Sequence, residues 1–217
     1  MAIRNILRGE DPSLKKKSRV VSDFNRRLHV LFDDMRETLL EANGLGLAAP
    51  QVGVLRRAVL IVDTGIETED PYEQIIELVN PEIIENSGEQ TGSEGCLSVP
   101  GVYGLVTRPE CVRVKAQDRY GNPFELTCRG LTSRAACHEI DHLNGIIFTS
   151  LADRILSEAE LEQLAAEAEA AETAETEAAG APVGAAEAEA AEAPAEAAEA
   201  PAGAAEAAEL PADIERV

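Results

Sequence analysis

Apolar residues first recur at helical spacing between residues 24 and 39. Phe24, Leu28, Leu31, Phe32, Met35 and Leu39 fall on one face of a 3.6-residue repeat. Ser22 is a suitable N-cap ahead of them, and Asn43-Gly44 a suitable stop behind. His29 lies off the apolar stripe and reads as a surface residue. The pattern then changes to strand type. Arg57 to Asp63 has a Val-Leu-Ile-Val centre, and Gln74 to Val79 and Glu82 to Glu85 read as short strands broken at Asn80-Pro81. Cys111 to Asp118 alternates, with Val112, Val114 and Ala116 on one side and Arg113, Lys115 and Gln117 on the other. The turn Tyr120-Gly121-Asn122-Pro123 and the run Phe124 to Arg129 complete an antiparallel hairpin. A second helix, capped by Thr132 or Ser133, is predicted to end at Asn144-Gly145, with Gly145 to Ser150 extended after it. These elements predict an α+β fold, with mostly antiparallel sheets packed around one inner helix.

Residues 1 to 21 read as an irregular arm, with a turn at Asp11-Pro12 and a solvated basic run at Lys15-Lys16-Lys17. Ser157-Glu158-Ala159-Glu160 has the form of a capping box opening a further helix. Leu161 and Leu164 are its last large apolar residues. The expected division is therefore a catalytic domain over 1–165 and a low-complexity Ala/Glu/Pro-rich tail over 166–217, read as disordered or as isolated helix.

Charge sharpens that division. Residues 151–217 hold 18 acidic and two basic residues and so carry -16 of the formal net charge of -21. This argues against direct nucleic-acid binding, DNA included, by the tail. No apolar run approaches a membrane span, and the first residues lack the apolar region of a secretory signal. Cys96, Cys111, Cys128 and Cys137 form no CxxC pair, which fits a reducing, cytoplasmic setting. Cys111 and Cys128 read as buried small side chains in strands.

The chemistry centres on Cys137-His138-Glu139-Ile140-Asp141-His142-Leu143-Asn144-Gly145. On a helix His138 and His142 share one face and can direct two imidazoles at one metal ion, and Glu139 lies close enough to handle a proton of the attacking water. No downstream histidine completes a third-His pattern. Upstream, Glu94-Gly95-Cys96-Leu97-Ser98 offers a thiolate ligand. Cys plus two His leaves a fourth position open, as catalytic rather than structural sites do. Gly44-Leu45-Gly46-Leu47-Ala48-Ala49-Pro50-Gln51-Val52-Gly53 formally matches a dinucleotide fingerprint. However, a helix precedes it and Pro50 obstructs one following, so it reads as a loop of close approach, with Gln51 placing an amide donor for a developing oxyanion.

Taken together, Gly44–Gly53, Glu94–Ser98 and His138–His142 with Asp141, Leu143 and Gly145 resemble peptide deformylase over roughly residues 1 to 150. The resemblance implies a hydrolase that removes formyl from the N-terminal methionine of nascent polypeptides and releases formate. It implies Cys96, His138 and His142 as ligands of one metal ion, Fe2+ with Zn2+ or Ni2+ as substitutes, and Glu139 as the acid/base. The Gln51 side chain and the Leu97 backbone N–H become the oxyanion donors, and Glu94 pairs with Arg108 in support. Leu131, Ala135 and the ring of His138, with Tyr103 at the rim, are the expected methionine pocket, and main chain near Leu45-Gly46 and Gly95 is expected to pair with the peptide. Two departures stand out. Cys137 replaces the family's common Gln and, next to His138 on the helix, should point away from the metal. The acidic tail is unlike the basic C-terminal helix through which some members dock, so any transient ribosome contact would use another route. The tail is expected to aid solubility or meet a basic protein. The rival readings are a zinc endopeptidase, which would cleave internal bonds, and a degenerate relative that binds N-termini without releasing formate.

Overall fold

A computed structural model of the chain describes residues 2–164 and 166. Helix α1 spans Arg26–Glu41. The strands are β1 (Gly46–Ala48), β2 (Ala58–Val62), β3 (Ile75–Ser87), β4 (Gln90–Cys96), β5 (Val99–Arg108), β6 (Cys111–Gln117), β7 (Pro123–Arg129) and, after helix α2 (Gly130–Leu143), β8 (Arg154–Ile155). Five strands form one sheet in the order β1-β2-β3-β6-β7, and three form a second in the order β4-β5-β8. Every pairing within the two sheets is antiparallel. The fold is thus the expected α+β assembly, with α2 packed on β1, β2 and β7 and in contact with β5.

The helix repeat explains that position. Ala136, Cys137, Ile140 and Leu143 are buried together with Val59, Ile61, Leu78, Val112 and Val114 of the five-stranded sheet. Burying a side chain the size of Ile140 or Leu143 contributes about 2 kcal/mol. Arg134, His138 and His142 recur every four residues and so occupy another stripe of the same helix. There they meet residues of β4 and β5. Cys137 lies in the apolar cluster, and burial pushes its thiol up to about 11, so it is an inert packing group.

Several element ends differ from the sequence expectation. The N-cap of α1 is Asn25, whose side chain accepts from Arg27 N at 2.9 Å. Ser22 and Phe24 lie in a stretch without regular structure, next to the point where Asn80 brackets Val21, accepting from its N–H at 2.8 Å and donating to its carbonyl at 2.9 Å. Asn80-Pro81 does not break the chain into two strands. Asn80 takes a positive φ of 53° and the register with β6 slips between Val79 and Glu82, so β3 continues through a bulge. Neither Thr132 nor Ser133 caps α2. The helix begins at Gly130, whose φ of 51° turns the chain sharply out of β7. The Thr132 hydroxyl instead accepts from Thr64 N at 3.1 Å, and Ser133 Oγ donates to Pro109 O at 3.0 Å. Gly145 to Ser150 is not extended throughout, because Phe148–Ser150 forms a 3-10 turn. The arm contains a similar turn at Pro12–Lys15, capped by Asp11.

Strand β5 was not anticipated, since Pro100, Gly101 and Gly104 interrupt its alternation. Gly104 is required there: a Cβ would lie 2.8 Å from Ala152 Cβ and 3.2 Å from Phe148. The capping box at Ser157 is present, with Glu160 Oε2 accepting from Ser157 N at 2.9 Å and Glu160 N donating to Ser157 Oγ at 3.4 Å. The reading of 166–217 as a low-complexity tail falls outside the described residues, apart from residue 166. Among the described residues no helix is long and apolar enough to cross a membrane.

Candidate active site

Strand β4 ends at Cys96 with a register shift between Gly95 and Cys96, the kind of irregularity that re-aims a side chain. The Cys96 thiol lies 3.2 Å from His142 Nε2. One donor atom each from Cys96, His138 and His142 lies within 4.8 Å of the others. The two imidazoles, one helical turn apart, have centroids 4.9 Å apart and planes at 76°. Two imidazoles and a thiol converging at this spacing fit one divalent transition-metal ion.

A buried ionic network orients these donors. Glu94 Oε2 lies 3.1 Å from His138 Nδ1, which leaves Nε2 of that ring for other partners. Arg108 grips the same carboxylate through Nε at 2.8 Å and Nη2 at 3.0 Å, and reaches Asp141 Oδ2 at 2.6 Å. Arg134 Nη1 adds a third contact to Glu94 at 3.0 Å and donates to the Val106 carbonyl at 3.0 Å. Burial opposes ionisation of Glu94, but His138 and Arg108 outweigh it and hold the carboxyl down at about 2. Burial also disfavours a charged His138. Contacts with Cys96 and Glu94 outweigh this and raise its pKa to about 10, so a metal ion taken up here must displace a proton. His142, lowered to about 3 by burial and then by His138, is neutral and ready to ligate.

Glu139 is buried beside this set, and burial pushes its carboxyl up to about 7. Its Oε2 has no hydrogen-bond partner among the described residues. A carboxyl that titrates near neutrality with a free oxygen suits proton transfer. Gly46 of β1 packs directly against it. A Cβ built there would lie 2.6 Å from both Glu139 Cγ and Oε1. Gly46→Ala is therefore expected to displace the carboxyl and lower kcat/KM by about 10²-fold, with the fold retained by circular dichroism. Wild-type kcat/KM in that variant would contradict the close approach.

Gln51 is held by its own loop. Its Oε1 accepts from Ala48 N at 2.7 Å, which turns Nε2 toward Cys96 Sγ at 3.6 Å and Ser98 Oγ at 3.3 Å. An amide with its oxygen occupied offers only its N–H groups to the cleft, as an oxyanion donor should.

These groups open into a cleft of about 630 Å³. Leu45, Gly46, Gln51, Glu94, Gly95, Cys96, Leu97, Tyr103, Leu131, His138 and Glu139 all line it. His142 lies beneath, 1% exposed, and Arg108 is buried behind Glu94. Ala135, expected in the methionine pocket, is buried and is not among the lining residues. Sequence reasoning missed Arg134, although its place four residues before His138 puts it on the same helix face. It also missed Arg8, whose Nη1 donates to the Leu97 carbonyl at 3.2 Å.

A thiol, two imidazoles of a His-Glu-x-x-His helix and an adjacent buried carboxyl at the floor of an open cleft are the arrangement of a metal-dependent hydrolase. Comparison with known proteins gives a family. The family model for polypeptide deformylase matches residues 3–158. The peptide deformylase of Caldicellulosiruptor bescii is 56% identical over 163 residues, which cover 75% of this chain and 93% of that one. Peptide deformylase 1 of Bacillus subtilis is 47% identical over 161 residues, 74% of this chain and 97% of its own. A peptide deformylase structure from Legionella pneumophila aligns with a TM-score of 0.64 at 41% identity, covering 83% of this chain and 100% of that one. A Met-Ala-Ser-bound class I type b peptide deformylase from Acinetobacter baumannii aligns with a TM-score of 0.63 at 35% identity, covering 69% and 98%. The chain belongs to the polypeptide deformylase family.

Proposed function

We infer that this chain is a peptide deformylase, hydrolysing the formyl amide of N-formylmethionyl nascent polypeptides to formate and a free N-terminal methionine. The observation that carries the reading is the convergence of Cys96, His138 and His142 beside the buried carboxyl of Glu139, at a cleft of about 630 Å³. The Met-Ala-Ser tripeptide bound by the Acinetobacter baumannii relative supports the substrate class.

Cys96, His138 and His142 would hold one Fe2+ ion, with Zn2+ or Ni2+ as substitutes. Such an ion supplies a Lewis acid that polarises the formyl carbonyl and makes water acidic enough to attack at neutral pH. Glu139 takes the proton of the attacking water on its free oxygen and delivers it to the leaving amine nitrogen, a role suited to its near-neutral pKa. The Gln51 amide, aimed by Ala48, donates to the oxygen that gains charge, together with the Leu97 backbone N–H. Glu94, clamped by Arg108 and Arg134, fixes the His138 ring. The methionine side chain sits against Leu131, Tyr103 and the His138 ring, and the peptide main chain pairs beside Leu45-Gly46 and Gly95.

Residues 1–165 form the catalytic domain and 166–217 an acidic appendage that aids solubility or meets a basic protein. The enzyme works in the cytoplasm, any transient ribosome contact avoids that appendage, and neither DNA nor a membrane is a partner. Stripping the protein with a chelator is expected to abolish formate release, and adding Fe2+ without oxygen to restore it. Full turnover after metal removal, verified by elemental analysis, would overturn the metal assignment.

A further inference from the structure

The cleft does not stop at the reacting groups. Arg8, Val99 and Pro100 line both the cleft and a second groove of about 710 Å³, so the two adjoin across these residues. Beyond the shared residues, Lys15 and Ile147 are among the groove's lining. Its walls are fixed by close approach. Gly145, with a φ of 76°, presses on the arm so tightly that a Cβ would lie 2.5 Å from the Lys15 carbonyl oxygen. Gly9 packs on Val99, where a Cβ would lie 3.3 Å from Cγ2. Arg8 stands at the boundary of the two spaces, where its guanidinium donates to the carbonyl of Leu97, next to Cys96.

The groove's charge differs from that of the chain. Arg8 and Lys15 form no salt bridge among the described residues, and Lys16 and Lys17 stand exposed beside Lys15. The opposing charge on the groove lining is Glu10. Two free cations against one carboxylate leave a positive excess on a chain of formal charge -21. Val99, Pro100 and Ile147 supply apolar surface between them.

We propose that this second groove binds the part of the formylated substrate beyond its first three residues, and that Arg8 and Lys15 favour acidic side chains there. The proposal rests on the deformylase reading above. An eight-residue extended peptide spans about 27 Å, enough to leave the cleft and enter the adjoining groove. Binding energy gained at a distance from the reacting bond raises kcat/KM. An exposed cation contributes modestly and is screened by salt.

The test compares kcat/KM for formyl-Met-Ala-Ser with that for two eight-residue peptides, extended by Asp-rich or by Lys-rich segments. The Asp-extended peptide is expected to exceed the tripeptide by about 3- to 10-fold at low salt, a range set by one or two exposed charge pairs, and the Lys-extended one to show no gain. The gain should fall at high salt. Lys15→Glu should abolish it while leaving tripeptide turnover unchanged, and Glu10→Gln should enlarge it. Equal kcat/KM for all three peptides would overturn the proposal, as would a length gain that survives in Lys15→Glu. No formate from the tripeptide itself would overturn the reading on which the proposal rests.

Discussion

Glu139→Gln is expected to lower kcat/KM for formyl-Met-Ala-Ser by about 10³-fold, within the range for removing a general acid/base. The amide keeps the shape of the side chain but can neither accept the water proton nor return it to the leaving amine. Gly46 fixes the carboxyl from one side, and burial sets its pKa near neutrality. The metal donors are separate side chains, so the variant should still bind one equivalent of metal, and that measurement distinguishes loss of proton transfer from loss of the site. A variant that holds metal and retains more than a tenth of wild-type kcat/KM would remove Glu139 from the role.

The largest effect on stability is expected at Glu94. This carboxylate receives two bonds from Arg108, one from Arg134 and one contact from His138, all away from solvent. Glu94→Ala leaves the Arg134 guanidinium with carbonyl partners alone and Arg108 with Asp141. Removing one partner of a buried ionic cluster costs about 3–5 kcal/mol, or roughly 10 °C in melting temperature for a domain of this size. Because Glu94 also fixes the His138 ring, the remaining folded protein should bind metal more weakly, by about 10- to 100-fold. Glu94→Gln should be milder in melting temperature and still impaired in metal affinity. The carboxyl is lowered to about 2 from an ordinary value of 4.5. Its contribution is therefore fully present above pH 4.5 and fades as pH falls toward 2, a loss that neither variant should show. Calorimetry and competition with a chelator check both effects. An unchanged melting temperature in Glu94→Ala would mean that the network is not a support.

The placement of the candidate site residues was legible because it is written in local spacing. His138 and His142, four residues apart around Glu139, share one face of a helix, and α2 is that helix. Cys96 between small and polar residues stood out for the same reason. Alternation over Cys111–Gln117 and the turn after Tyr120 gave the β6–β7 hairpin, although Pro123, read as part of the turn, is the first residue of β7 and pairs with Gln117. What escaped depends on contacts distant in sequence. Ser22 is as good a cap as Asn25 by residue type, but Asn80 engages both backbone groups of Val21 and the cap of α1 falls three residues on. Thr132 and Ser133 look like caps until Thr64 and Pro109 engage them. Strand β5 hides behind the glycines that its packing requires. Arg134 reads as an ordinary helix residue, because the carbonyls and the carboxylate it serves lie 28 to 44 positions away. Ala135, nominated for the methionine pocket by its motif position, is buried next to Arg134, which lines the cleft.

Formate release from formyl-Met-Ala-Ser by iron-loaded protein, prepared without oxygen, tests the central claim most directly. The account predicts one formate and one free Met-Ala-Ser per formyl peptide consumed, with internal peptide bonds left intact. A folded protein that holds one metal ion and binds the peptide yet releases no formate would contradict it and favour a binding module. Cleavage within an unformylated peptide would contradict it in favour of an endopeptidase.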